Sequence, residues 1–196
     1  MTTHATSTLP AGLTIPEDFT YEFVRHELHE NIQVTVTRYQ RTPGLTYGHE
    51  HVTTVIGTAD GILYGYTNQT ATVAEHTLPE ANAARNIAFG FLNRVDADYA
   101  ARLSERWIDR HDELIRTGRN EQAVVAGIKV KTAHTNGLYA WVIVSEHGQV
   151  VTFERDVAWN SAEARRHTHM WLHDQWIIAH DNGGPELDPP LARLTQ

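Results

Sequence analysis

The chain contains no cysteine. That excludes disulfide staples, thiolate nucleophiles and cysteine-ligated zinc, and it fits a reducing cytoplasm. Long apolar runs are also missing. No stretch reaches the roughly 18 apolar residues that a membrane-spanning helix needs, and the first thirty residues lack the basic start and apolar run of a secretory signal. A soluble, cytoplasmic chain with no membrane partner is therefore expected. Basic charge is in short supply, with 16 Lys and Arg against 24 Asp and Glu, a net charge of −8. The basic residues are scattered, and Arg165-Arg166 is the only adjacent pair. Such a footprint argues against binding the phosphate backbone of a nucleic acid. No recognised catalytic signature runs through the chain.

What is present is β pattern. At 196 residues the chain is long enough to bury one good-sized core. Residues 123–159 read as three consecutive strands. In Val124 to Thr132, Val124, Ala126, Ile128 and Val130 alternate with Val125, Gly127, Lys129 and Lys131, the period of a strand with one buried face. Leu138 to Val144 is rich in β-branched and aromatic residues and suits a central strand covered on both sides. Val150 to Trp159 alternates again, with Glu154 and Asp156 placed on its wet face. Asn136-Gly137 and His147-Gly148 supply the positive φ that tight hairpins require, so the three strands should be antiparallel.

The rest of the chain extends this sheet. Residues 1–16, Thr-rich with Pro10 and Pro16 around Gly12, read as a flexible arm. Phe19 to Leu28 is compatible with a short helix or a strand. Ile32 to Tyr39 alternates as a strand, and His51–Gly57 and Ile62–Thr67 form a hairpin closed by Ala59-Asp60-Gly61. The period then changes. Thr77-x-x-Glu80 has capping-box spacing, and Ala81, Ala84, Ala88, Phe91 and Val95 mark an amphipathic helix over 79–95. Tyr99, Leu103, Trp107 and Leu114 suggest a second helical run, with Leu103 to Ile108 also compatible with a strand. Asn160-Ser161-Ala162-Glu163 repeats the capping spacing ahead of a C-terminal helix. Residues 183–196, with Gly183-Gly184-Pro185 and Asp188-Pro189-Pro190, read as a tail.

The order strands, helices, strands, helix implies a single α+β domain over 17–182, a curved antiparallel sheet packed by one or two helices. A sheet that curls into a cone around its helix resembles cystatin-like and NTF2-like architectures, an analogy that carries no chemistry. Leu78-Pro79-Glu80-Ala81 with Ala84, Ala88 and Phe91-Leu92 looks like the helix start of PepSY-type domains. It covers only about fifteen residues of a common amphipathic pattern.

Thirteen histidines are the chemical feature to weigh. His167, His169 and His173 share one side of a strand, and His169 and His173 share one face of a helix. Imidazoles so paired suit a divalent transition metal. His49 and His51 project to one side of a strand, which resembles the paired ligands of cupins. The glutamate that motif needs is missing, since Thr53, Thr54, Val55 and Ile56 stand there. Nor does Met170 permit an HExxH site. Packing within an amphipathic face is the weightier account of these histidines. Ser145-Glu146-His147 matches a triad only in letters, and Gly57, Gly61 and Gly65 do not open a helix as a phosphate loop would. Five tryptophans and their aromatic neighbours supply a core or the lining of a concave pocket.

Two readings follow. The first is a domain that binds a small molecule or a protein chain and associates with itself through sheet edges. The second is a metal-dependent hydrolase or oxygenase with His169 and His173 as ligands and His49, His51 or His167 completing the shell.

Overall fold

A computed structural model describes residues 9–10, 12–70 and 77–194. Residues 1–8 and 11 of the expected arm and the last two of the tail lie outside the described residues. The elements run Tyr21–His29 (β1), Ile32–Gln40 (β2), His51–Gly57 (β3), Leu63–Gln69 (β4), Ala81–Val95 (α1), Ala97–Ala100 (α2), Leu103–Arg116 (β5), Gln122–His134 (β6), Tyr139–Val144 (β7) and Val150–Val157 (β8). A short pair follows, Trp159–Asn160 (β9) with Arg165–Arg166 (β10), and then Asp174–Asp181 (α3). The domain is α+β. Its eight-stranded sheet has the order β1-β2-β3-β4-β8-β7-β6-β5, all antiparallel, curved but not closed. Two four-stranded meanders therefore meet at the β4–β8 seam. Among the described residues no helix is long and apolar enough to cross a membrane.

The central meander forms as its pattern implies. β6 turns into β7 at Asn136-Gly137, where Gly137 has φ +90°. β7 is buried along nearly its whole length because both sheet faces are covered. In β8 the simple alternation fails. Register shifts beside Tyr139/Trp141 and Ile143/Val144 put Val150 on the same side as Phe153, under α1, and Val157 on the other side, while Glu154 keeps the side opposite Phe153 and is buried because that side is covered. Bulges do this by inserting an unpaired residue into one strand. Glu154 is thus no wet-face residue.

Two helical expectations are corrected. The 79–95 helix begins at Ala81 with Glu80 as N-cap and no side-chain cap, so Thr77 and Glu80 form no capping box. The second helical run is a single turn, α2, capped by Asp96 accepting from the Tyr99 amide at 2.9 Å. From Leu103 the chain is strand, paired along its length with β6. The spacing of Tyr99, Leu103, Trp107 and Leu114 suits a helix face, whereas partner-strand hydrogen bonds decided for the strand, the alternative already open for Leu103 to Ile108. Phe19–Leu28, left between helix and strand, resolves as β1.

The helix face is filled. Ala84, Ala88, Phe91 and Leu92 of α1 are buried against Val130, Val142 and Phe153. Phe91 and Phe153 meet edge to face at 5.3 Å. Each phenyl ring so buried contributes about 1.5–3 kcal/mol. Leu13 and Ile15, within the expected arm, pack on the same cluster, and Tyr66 donates its hydroxyl to the Thr14 carbonyl at 2.8 Å.

The other face is covered by irregular chain. Met170, Trp171 and Leu172 lie with Trp176 and Ile177 of α3 on Val34, Val36, Val55 and Tyr64. Gly65 permits this approach, since a Cβ there would meet Leu172 at 3.2 Å. Trp171 Nε1 donates to the Leu28 carbonyl at 2.7 Å and stands edge-on to Trp176 at 4.9 Å. Residues of the expected tail return to this cluster, with Ala192 buried and Leu187, Leu191 and Leu194 beside it.

Candidate functional site

The curl of the second meander leaves a cavity of about 530 Å³ on this second face. That size lies in the range of small-molecule sites. Its floor is built from Thr67, Gln69, Trp141, Ile143 and Thr152 of β4, β7 and β8. Gly127 on β6 makes room for Ile143, because a Cβ there would fall 2.5 Å from the Ile143 side chain. One wall is the far end of β5, His111 to Ile115. That end is tied across the curve to the chain before β3. The Arg116 amide donates to the Gly48 carbonyl at 2.8 Å, and the Glu50 amide donates to the Arg116 carbonyl at 3.0 Å. Glu50 also accepts from the Gly118 amide at 3.1 Å and pairs with Arg41. The roof is Met170, Leu172 to Gln175, and Pro190-Leu191.

One buried and one partly buried ion pair clamp the roof. Arg166 meets Glu154 in a bidentate pair at 2.7 and 3.0 Å, and its remaining donors reach the carbonyls of Thr168 and His169. Those carbonyl contacts, with the Ala158 amide donating to Thr168 Oγ1 at 2.7 Å, hold 166–169 out of helical geometry. Burial pushes Glu154 up, but Arg166 and His173 outweigh it and hold its carboxyl well below the usual range. At the second clamp Arg38 binds Asp174 through two bonds of 2.7 and 3.0 Å, and the Gly48 amide donates to Asp174 at 2.5 Å. Burial opposes ionisation of Asp174, and His51, Arg38 and that amide overcome it, so its carboxyl is also held low.

The five sequence-nominated histidines separate. His51 and His173 line the cavity. His51 is buried, and its Nδ1–H donates to the His49 carbonyl at 2.8 Å, leaving Nε2 as a buried acceptor without a partner. Burial, then Arg38, lowers its pKa to about 4, so the ring is neutral at pH 7. Its cross-strand partner Gln69 carries a second buried acceptor without a partner, Oε1. His173 is the N-cap of α3, and its Nε2 lies 3.6 Å from Glu154. His169 is not one helical turn from His173 on a shared face. It precedes the helix, stacks on Trp171 at 5.8 Å and stands edge-on to Trp176. His167 is exposed, and His49 sits in a bridge with Arg116. Among the described residues no group of three or more His, Cys, Asp or Glu side chains is placed to hold a metal ion.

Several site residues escaped the sequence reading. His111 and Glu113 are bonded at 2.8 Å on the cavity wall, within the segment that reads as helix. Glu154 was assigned to a wet face of β8, which hid its pairing with Arg166. A Glu–x–Asp on a strand followed by adjacent arginines was the available signal. Trp141 and Trp159 do line a concave pocket, roofed by the C-terminal segment and not by the long helix. Trp141 stands between two cations, with Lys129 Nζ 4.1 Å and Arg166 Cζ 5.4 Å from its ring centre. Compared with known proteins, the chain matches no family model, no curated protein and no solved structure.

Proposed function

We propose that this chain binds a small organic molecule in the cavity between the curved sheet and the C-terminal roof. The observation that carries this reading is the 530 Å³ volume itself, about twice the 230 and 270 Å³ of the hollows beside the helix-face core. Trp141, Trp159, Ile143 and Leu172 supply an apolar lining, and the His111–Glu113 pair, His173 and Gln69 supply polar groups. Such a mixture suits a ligand with a flat apolar body and a polar end, oriented by a few hydrogen bonds. Neutral His51 and the paired carboxylates argue for recognition through hydrogen bonds more than through net charge.

Tryptophan fluorescence tests the proposal, since two of the five tryptophans line the cavity. Titration with 2-naphthol is expected to quench emission saturably, with one molecule bound per chain. Thr152→Phe, which places a ring on the cavity floor, should weaken that binding at least tenfold, about 1.4 kcal/mol. Quenching that is linear in probe, or unchanged in the variant, would remove the cavity as the binding site.

A further inference from the structure

The chain has only two lysines, Lys129 and Lys131. Strand alternation sets both on the cavity face of β6, one pleat apart. Aromatic rings surround them. Lys129 Nζ is 4.1 Å from the ring centre of Trp141 and 5.9 Å from that of Trp107. Lys131 Nζ is 4.5 Å from Tyr139, 5.1 Å from Trp159 and 5.6 Å from Trp107. Among the described residues neither ammonium has a carboxylate within ion-pair distance, while Arg25, Arg38, Arg155 and Arg166 all do. The paired cations are therefore guanidiniums, which keep their charge. The two amines, which can release a proton, stand unpaired on aromatic surface.

Of the two, Lys129 is the one that packs against residues lining the cavity. Its cross-strand partner Ile143, its ring partner Trp141 and its charged neighbours Glu113 and Arg166 all line that space. On its other side its cross-strand partner is Asp109, and the next residue on its own face is Gly127, which has no side chain to cover it.

We infer that Lys129 is an amine nucleophile for a carbonyl-bearing ligand of this cavity, an aromatic aldehyde or ketone held as an imine. The inference rests on the small-molecule reading above and names the ligand class. In the step, the neutral Nζ adds to the carbonyl carbon, and the C–O π bond opens to a carbinolamine. The two amine protons and the carbonyl oxygen then leave as water, and a C=N bond remains. Nothing is oxidised or reduced, and no further reactant is needed. The surroundings favour the neutral amine that the step requires. Burial acts most strongly on Lys129. Arg166 from the roof and Lys131 on the same strand add to it, while Glu154 on β8 and Glu113 on β5 oppose it, and the balance brings its pKa down to about 8. At pH 7.4 that leaves roughly two hundredfold more free amine than an ordinary lysine has. A desolvated lysine beside other cations is a recurring way of activating an amine nucleophile.

The test treats the full chain with 2-naphthaldehyde and sodium cyanoborohydride between pH 6.5 and 9, followed by intact mass and peptide mapping. Apart from the α-amine, which peptide mapping separates, the expected result is one reduced adduct, at Lys129, forming at least tenfold faster than at Lys131. Its rate should rise to a plateau above about pH 8, and 2-naphthol should compete with it. Lys129→Arg should lose the adduct. Equal labelling of the two lysines, labelling at the rate of free Nα-acetyl-lysine, or labelling that 2-naphthol does not slow would overturn the inference. Quenching by 2-naphthol without preferential labelling overturns the imine and leaves the cavity reading standing.

Discussion

The two faces of one sheet are closed in different ways. On the helix face a regular element brings its own backbone hydrogen bonds, so apolar contact suffices to hold it. Ala84 and Ala88 let α1 lie close, and Phe91 meets Phe153. On the cavity face much of the cover is irregular chain, with only scattered backbone hydrogen bonds of its own. It is held by side chains that satisfy backbone groups: Arg166 on two carbonyls, Thr168 on the Ala158 amide, Asp174 on the Gly48 amide. Buried polar backbone must be paired somewhere. The comparison teaches that an irregular roof demands buried charge, and that charge held away from solvent beside a cavity is also what a binding site needs.

The largest test of this contrast pairs one substitution on each face. Phe91→Ala should lower stability by about 3–5 kcal/mol through loss of contact and a residual void. Arg166→Met should cost about 3–5 kcal/mol by leaving Glu154 buried and unpaired. Denaturant unfolding separates the two causes. The Phe91 loss should be the same at pH 7 and pH 5, whereas the Arg166 loss should shrink at pH 5, where an unpaired Glu154 takes up a proton. Adding Glu154→Leu to Arg166→Met should restore much of the loss if charge, and not shape, is at fault.

A pH scan gives a somewhat smaller effect. His51 keeps a folded pKa of about 4 against an unfolded value near 6.5, and burial also lowers His29. The unfolded chain therefore binds these protons first. Stability is fully present above about pH 6.5 and falls as pH drops toward 4, by up to about 3 kcal/mol from His51. The depressed carboxyls of Glu154 and Asp174 extend the decline below pH 4.5, with the same sign. His51→Gln should flatten the curve between pH 6.5 and 4.5, and an unchanged slope would show that His51 is not held neutral.

The smallest effects come from adjacent residues of β7. Val142 points into the filled core and Ile143 into the cavity. Val142→Phe should cost about 1–3 kcal/mol by overpacking. Ile143→Phe should change thermal stability by less than about 1 kcal/mol, because its added volume enters the cavity, yet it should weaken 2-naphthol binding. Equal losses would mean that the two faces are packed alike.

Much of this was legible in the chain. The alternation of Val124–Val130, the β-branched run at Leu138–Val144 and the glycines of the two turns marked the central meander. The three-four spacing of Ala84, Ala88 and Phe91 marked the face of α1. These are local signals, set by the geometry of strand and helix. The segment 103–116 was ambiguous because Leu103, Trp107 and Leu114 fit a helical spacing while Leu103 to Ile108 also suits a strand, and pairing with β6 decided between them.

The sequence by itself determined the α+β class, the antiparallel hairpins and the histidine-rich segments that include His51 and His173, because each depends on residues near in the chain. Only the tertiary structure decided which of those histidines share a space, that the side of β8 bearing Glu154 is covered so that Glu154 meets Arg166, and that the two lysines stand on aromatic rings beside the cavity lining. Strand pairing and an irregular roof fix those outcomes. Both are products of contacts between distant residues, and no local periodicity encodes them.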